Sequence, residues 1–139
     1  MGVKINLEGA EEAGADPSLI EKAIEAVLKG ENVDSKEISV LYISDEEIHT
    51  INREYLKHDF PTDVISFPMH ENGNPVEGEI YISYETTLQN AERFGVSREQ
   101  ELLRVTIHGV LHLSGYDDAD EASKSEMTER ENHYLSMLD

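Results

Sequence analysis

The stretch that most constrains this chain runs from Ser97 to Gly115. Ser97-Arg98-Glu99-Gln100 has the form of a capping box and opens a helix. Wound at helical pitch, Leu102, Leu103, Thr106, Ile107, Val110 and Leu113 cover one broad side. Glu101, Arg104, Val105, His108, Leu111 and His112 fall on the other. A helix apolar over so much of its circumference must be covered from more than one direction. It therefore lies at the centre of the fold, and the face bearing the histidines opens into a cleft.

His108 and His112 are four residues apart, so they stack one turn apart on one helix face. Two imidazoles so placed reach one metal ion. Gly115 tolerates the left-handed backbone that ends helices, so the helix should stop near it. The chain then turns back, and Asp118, six residues after His112, can offer a carboxylate to the same ion. Two nitrogens, one oxygen and an open fourth position describe a catalytic rather than a structural zinc site. A single histidine on an apolar helix is ordinarily a packed core or surface residue; two at this spacing, followed by a glycine turn and an acid, favour a ligand set. The pattern H-x-x-x-H-x-x-G-x-x-(H/D) is also that of metzincin proteases, except that Gly109 stands where the protease keeps its glutamate base. That departure argues against peptide hydrolysis by the same route and leaves metal binding open.

The flanking chain reads as alternating strands and helices. Val3–Leu7 alternates apolar and polar and is a first strand; Gly9–Ala15 is small and acidic, hence a loop. Asp16-Pro17 starts a helix that Gly30 closes, with Ile20, Ala23, Ile24, Val27 and Leu28 inward. Glu37–Ile43 is a second strand. Ser44 and Glu47 form a capping box for a helix whose apolar stripe is Ile48, Ile51 and Tyr55. Phe60–Asp63 is a loop, Val64–Phe67 a third strand, Asn72-Gly73-Asn74-Pro75 a turn cluster and Glu79–Ser83 a fourth strand. Strands three and four can pair as a hairpin. Thr86–Phe94 is a helix with Leu88, Ala91 and Phe94 inward, and Asp120–Leu138 a last helix with Met127, Tyr134 and Leu138 at helical spacing. The expected whole is one domain over residues 1–139, about five helices around four strands.

Composition bounds function more loosely. With 139 residues the chain supports one sizeable core. No run approaches the ~18–20 apolar residues of a membrane span, and the N-terminus does not read as a signal peptide; the expected location is cytoplasmic. Absence of cysteine excludes disulfides and thiolate metal sites. Thirty acids against eleven bases give a net charge of −19, which globally disfavours nucleic acid. Screening acts over about 8 Å at physiological salt, so a local basic groove can still outweigh distant acids. Arg53, Lys57, His58 and Arg104 are the cations for such a groove; read otherwise, Arg53, Lys57 and His58 are a solvated helix end complementing its dipole. Acid-rich surfaces also suit a high-salt cytoplasm.

Taken together, these residues resemble the YbeY family. His108-Gly-Val-Leu-His112-Leu-Ser-Gly-Tyr116-Asp117 is similar to its signature H-G-x-L-H-L-x-G-Y-D-H. Asn52 through Tyr55, then Pro61-Thr62-Asp63-Val64-Ile65-Ser66-Phe67, resembles N-x-x-Y…T-D-V-L-S-F. Gly78–Ser83 resembles G-D-I-x-I-S, and Gln100 through Val105 the E-L-x-x-L stretch before the first histidine. The resemblance runs over about residues 38–135. It implies an α+β, zincin-like single domain with one mixed four-stranded sheet and a metal site on a central helix. It also implies a single-strand-specific, metal-dependent endoribonuclease acting in ribosomal RNA maturation, toward the 3′ end of the small-subunit RNA, and in ribosome quality control. The implied partners are ribosomal RNA, and ribosomal proteins or ribosome-associated GTPases.

The family's metal, usually zinc, is held by three histidines; the corresponding positions here are His108, His112 and Asp118. Aspartate is a competent zinc ligand but adds a negative charge, which lowers the Lewis acidity of the ion. A second departure is Leu56, where the family usually has an arginine implicated in handling the RNA phosphate; Lys57 and His58 stand beside it. Lys57 or His58 is a candidate to stabilise developing charge. Asp117 is a candidate to orient a ligand from outside the coordination shell, and reads equally well as a plain turn aspartate. Two rival readings stay open: an assembly factor with a structural metal, and a metal hydrolase of another substrate.

Overall fold

The computed structural model describes residues 3–57, 62–71 and 73–138. Four strands, β1 (Lys4–Glu8), β2 (Ser35–Ile43), β3 (Val64–Pro68) and β4 (Val76–Ser83), form one sheet in the order β1-β2-β4-β3. β2 runs parallel to β1 and to β4, while β3 is antiparallel to β4. Among the described residues six helices accompany them: α1 (Ala10–Ala13), α2 (Pro17–Gly30), α3 (Asp45–Tyr55), α4 (Tyr84–Phe94), α5 (Arg98–Leu113) and α6 (Glu121–Ser136). The α+β class and the mixed four-stranded sheet are those expected. Among the described residues no helix is long and apolar enough to cross a membrane.

Local chemistry explains most boundaries. Asp16 caps α2 through the Ser18 amide at 2.9 Å, and Pro17 follows at the first helical position. Ser44 and Glu47 close a reciprocal capping box on α3. Ser97 forms one half of the expected box on α5, accepting from the Gln100 amide at 3.0 Å. The segment Gly9–Ala15, expected to be a loop, contains the single turn α1. Gly9 (φ 81°) and Gly14 (φ 91°) bracket it in the left-handed region. One turn is too short to show a helical period, and its two buried residues, Ala10 and Ala13, are too small to announce one.

α5 is the axis of the packing. It rests on β3 and β4 and is flanked by α2, α4 and α6. Leu102, Ile107, Val110 and Leu111 are fully buried, facing the inward residues Ile38, Val40, Ile80 and Ile82 of the central strands. Thr106 is buried too, its hydroxyl paired with the Tyr42 phenol at 2.7 Å, and burial pushes that phenol's pKa well up. Helix and sheet approach closest at Gly109, where a Cβ would lie 2.7 Å from Ile80 Cγ2. On the sheet side a Cβ at Gly78 would meet the Phe67 carbonyl oxygen at 2.7 Å and Leu113 Cδ2 at 2.8 Å. Gly109 is therefore a packing requirement as well as a departure from the protease pattern. Gly109→Ala is expected to destabilise the protein by about 1–3 kcal/mol through overpacking, although alanine is the better helix former. Chemical denaturation checks it; an unchanged or raised midpoint would mean that the helix shifts away without cost.

Two apolar stripes turn differently from the sequence reading. On α4, Thr87 and Ala91 are buried, whereas Leu88 and Phe94, expected inward, are 37% and 62% exposed. The helix packs on α5 and the end of β4. Small residues at that contact permit close approach, and Thr87 satisfies its hydroxyl by donating to the Ser83 carbonyl at 2.7 Å. On α3, Ile48 is buried but Tyr55 is 70% exposed. Tyr55 lies at the final turn, its ring edge-on to Phe67 and otherwise open to solvent.

Candidate metal centre

The end of α5 builds the site. Ser114 donates to the Val110 carbonyl and Tyr116 to the Leu111 carbonyl, both at 3.0 Å. Gly115 reverses the chain at φ +113°. Beyond it, the Tyr116 hydroxyl donates to Glu31 Oε1 at 2.6 Å, and the Tyr134 hydroxyl donates to Glu31 Oε2. Arg130 stands 3.7 Å from the same carboxylate and lies over the Tyr116 ring. This knot ties the end of α2, the turn and α6 together. Asp120 then caps α6 by accepting from the Ser123 amide at 2.7 Å. Asp118 is thus carried on a short span fixed at both ends.

That span places Asp118 opposite the histidines. His108 Nε2 is 3.6 Å from Asp118 Oδ2, and His112 Nε2 is 3.7 Å from Asp118 Oδ1. The imidazole centroids are 4.7 Å apart. One donor atom from each of the three residues lies within 4.8 Å of the others. The His108 ring is also held from behind. His108 Nδ1 bonds Glu131 Oε2 at 2.6 Å, and the His112 ring meets that of His108 edge-on with its Nε2 toward Asp118. Both Nε2 atoms converge, and for His108 this is the orientation that metal-binding histidines take when a carboxylate holds the other nitrogen. The donor set is one that zinc accepts.

Charge follows from this packing. Burial alone would lower the His108 pKa, but the hydrogen bond and charge of Glu131, with Asp118 and Asp63, outweigh it and hold it above the usual histidine value. His112 is held below that value by burial and then by neighbouring His108, against the pull of Asp118. Glu101, about two turns before His108 on α5, is buried, and burial raises its carboxyl pKa against the opposing charge of Arg104.

The three donors sit in an open cleft of about 450 Å³, walled by Asn52 of α3, by Leu56 just after it, and by Thr62, Asp63 and the β3 residues Val64, Ile65, Ser66 and Pro68. Among the described residues lining it there is no lysine or arginine. Arg104, expected in a cationic groove, instead bonds Glu131 Oε1 at 3.0 Å and Asn132 Oδ1 at 2.7 Å. Arg53 and Lys57 are exposed outside the lining, with Lys57 in the left-handed region at φ 61°. His58 lies outside the described residues. Leu56 itself is on the cleft wall. Asp117 is absent from that wall; its carboxylate accepts from the Ala119 amide at 3.3 Å, as a turn aspartate does.

Glu131 is the residue that the sequence reading missed. It falls at helical spacing with Met127, Tyr134 and Leu138, so it is an acid on the buried stripe of the last helix. A charge in that stripe was the available signal, since a buried carboxylate needs a partner.

The family model described as Endoribonuclease YbeY matches residues 8–139, a span that includes both histidines, Asp118 and Glu131. The chain belongs to the YbeY endoribonuclease family. Proteins named Endoribonuclease YbeY from Chloroherpeton thalassium and Chlorobium luteolum are similar to it. The first is 54% identical over 119 residues, covering 86% of this chain and 84% of the relative; the second is 50% identical over 123 residues, covering 88% and 89%. Among solved structures, that of TM1509 from Thermotoga maritima is similar at 33% identity and a TM-score of 0.68, covering 96% of this chain and 88% of that one. The α+β frame, a mixed four-stranded sheet with α5 packed on it, is where the three donors meet.

Proposed function

We propose that residues 1–139 form one metal-dependent ribonuclease domain that cuts single-stranded RNA. Its substrate is ribosomal RNA near the 3′ end of the small-subunit RNA, and its setting is cytoplasmic ribosome maturation and quality control. Ribosomal proteins or ribosome-associated GTPases are its partners. The observation that carries this reading is the convergence of His108, His112 and Asp118 on the floor of an open cleft in a chain of the YbeY family. The cleft is open enough for an unpaired strand to lie along β3.

His108, His112 and Asp118 would hold one divalent ion, with zinc the best match to two imidazoles and a carboxylate. Such an ion supplies an acidified water and a positive charge for a phosphoryl oxygen. The chain's own residues do the positioning. Glu131 fixes the His108 ring. Asp118 brings a charge that a third histidine would not, so an ion held here would be a weaker Lewis acid than one in a three-imidazole site. Peptide hydrolysis fits poorly, because a glutamate at position 109 would have to displace Ile80.

Incubation of the purified protein with a single-stranded small-subunit rRNA fragment tests the reading. Cleavage is expected to stop with a chelator and return with added zinc. Cleavage that persists in chelator, or hydrolysis of peptide in place of RNA, would overturn it.

A further inference from the structure

Beside the metal cleft lies an exposed aromatic surface. The Tyr55 ring, mostly open to solvent, meets Phe67 edge-on, with centroids 6.3 Å apart and planes at 78°. Phe67 meets Tyr81 in the same way at 5.7 Å and 83°. Met69, 54% exposed, completes a shallow hollow of about 560 Å³. Phe67 belongs to β3, an edge strand of the sheet. Pro68 lines both the hollow and the cleft, and Leu56 on the cleft wall directly follows Tyr55. The two surfaces are therefore continuous.

The fold does not explain these rings. Ile48 and Asn52 provide the buried side of α3, and Tyr55 adds no core. A contiguous exposed apolar surface marks a contact site. Charge indicates what it contacts. A strand gripped by neutralising its phosphates needs cations, and none of the described residues lining the cleft is a lysine or arginine. Stacking a base on an aromatic ring draws on the π-face of the base and needs no cation at the contact itself. Rings already braced edge-to-face lose little freedom when a base arrives.

We propose that Tyr55, with Phe67 and Met69, stacks an unpaired base of the RNA strand whose backbone lies in the metal cleft. The proposal rests on the ribonuclease reading. It also gives that reading a source of preference for unpaired RNA, since a base inside a duplex has both faces covered.

The test is equilibrium binding of a single-stranded oligoribonucleotide, with chelator present so that no strand is cut. Tyr55→Ala is expected to weaken binding about 5- to 150-fold. It should leave the slope of log affinity against log salt unchanged, because no phosphate contact is lost. Tyr55→Phe should bind as the parent does. A scan of abasic positions should find one at which losing the base costs as much as losing the ring, with no further loss when both are removed. Parent-like binding by Tyr55→Ala, in a protein that binds and cuts RNA, would overturn this proposal alone. Additive losses at every abasic position would also overturn it, since the ring would then touch no base. A parent that binds no RNA would overturn the ribonuclease reading with it.

Discussion

His112→Ala is expected to purify almost free of divalent transition metal, where the parent carries about one ion per chain. The expectation follows from the convergence of three donors with no fourth protein ligand beside them among the described residues. With His112 gone, one nitrogen and one carboxylate remain, too few to hold zinc against the buffer. Asp118→Ala should weaken metal binding strongly for the same reason. Asp118→His should keep the metal, because the short span between the Glu31 knot and the α6 cap carries whichever side chain stands there to the same place. Asp117→Ala should cost less than Asp118→Ala, since the Asp117 carboxylate serves the Ala119 amide. Elemental analysis and competition with a chromophoric chelator measure all four variants. Full occupancy in His112→Ala would remove the site; tight binding by Asp118→Ala with loss in Asp117→Ala would move the ligand one residue back.

Glu131→Ala should show two losses from one substitution. Metal affinity should fall by about 10- to 100-fold, the usual effect of deleting a carboxylate that orients a ligating histidine. The metal-free fold should lose about 2–4 kcal/mol as well, because the partly buried Arg104 guanidinium keeps its position and loses its ion pair. Glu131→Gln should recover part of the metal affinity, since its carbonyl oxygen can still accept from His108 Nδ1. It should recover less of the stability, since the charge facing Arg104 is gone. Denaturation of the metal-free protein reads the second effect apart from the first. Parent-like metal affinity in Glu131→Ala would show that His108 needs no support from α6.

The helix starts and the ligand-bearing turn depend on neighbouring residues alone, and that part was legible. Caps at Asp16, Ser44 and Ser97 act within three residues, so each helix start could be placed from neighbours alone. His108 and His112 share a face because they share a helix, whatever surrounds it. The reversal at Gly115 is equally local, and it brings Asp118 within reach.

Other features turn on which elements meet. Glu131 reaches His108 across 23 residues and Glu31 reaches Tyr134 across 103, so neither partner is implied by local spacing. Arg104 could be assigned to a groove from its face of α5, and only the docking of α6 shows that Glu131 and Asn132 hold it. On α4, two helical phases both offered apolar residues. Close approach to α5 selected the small pair Thr87 and Ala91 and turned Leu88 and Phe94 to solvent. Gly109 read in the chain as a missing glutamate; the packed sheet shows that Ile80 occupies the space a side chain would need. Sequence periodicity and capping determined the elements and the ligand-bearing turn, because their energetics lie within four residues. Tertiary structure decided the supporting carboxylate, the cation-poor cleft and the aromatic surface, because burial and pairing energies depend on what is packed opposite.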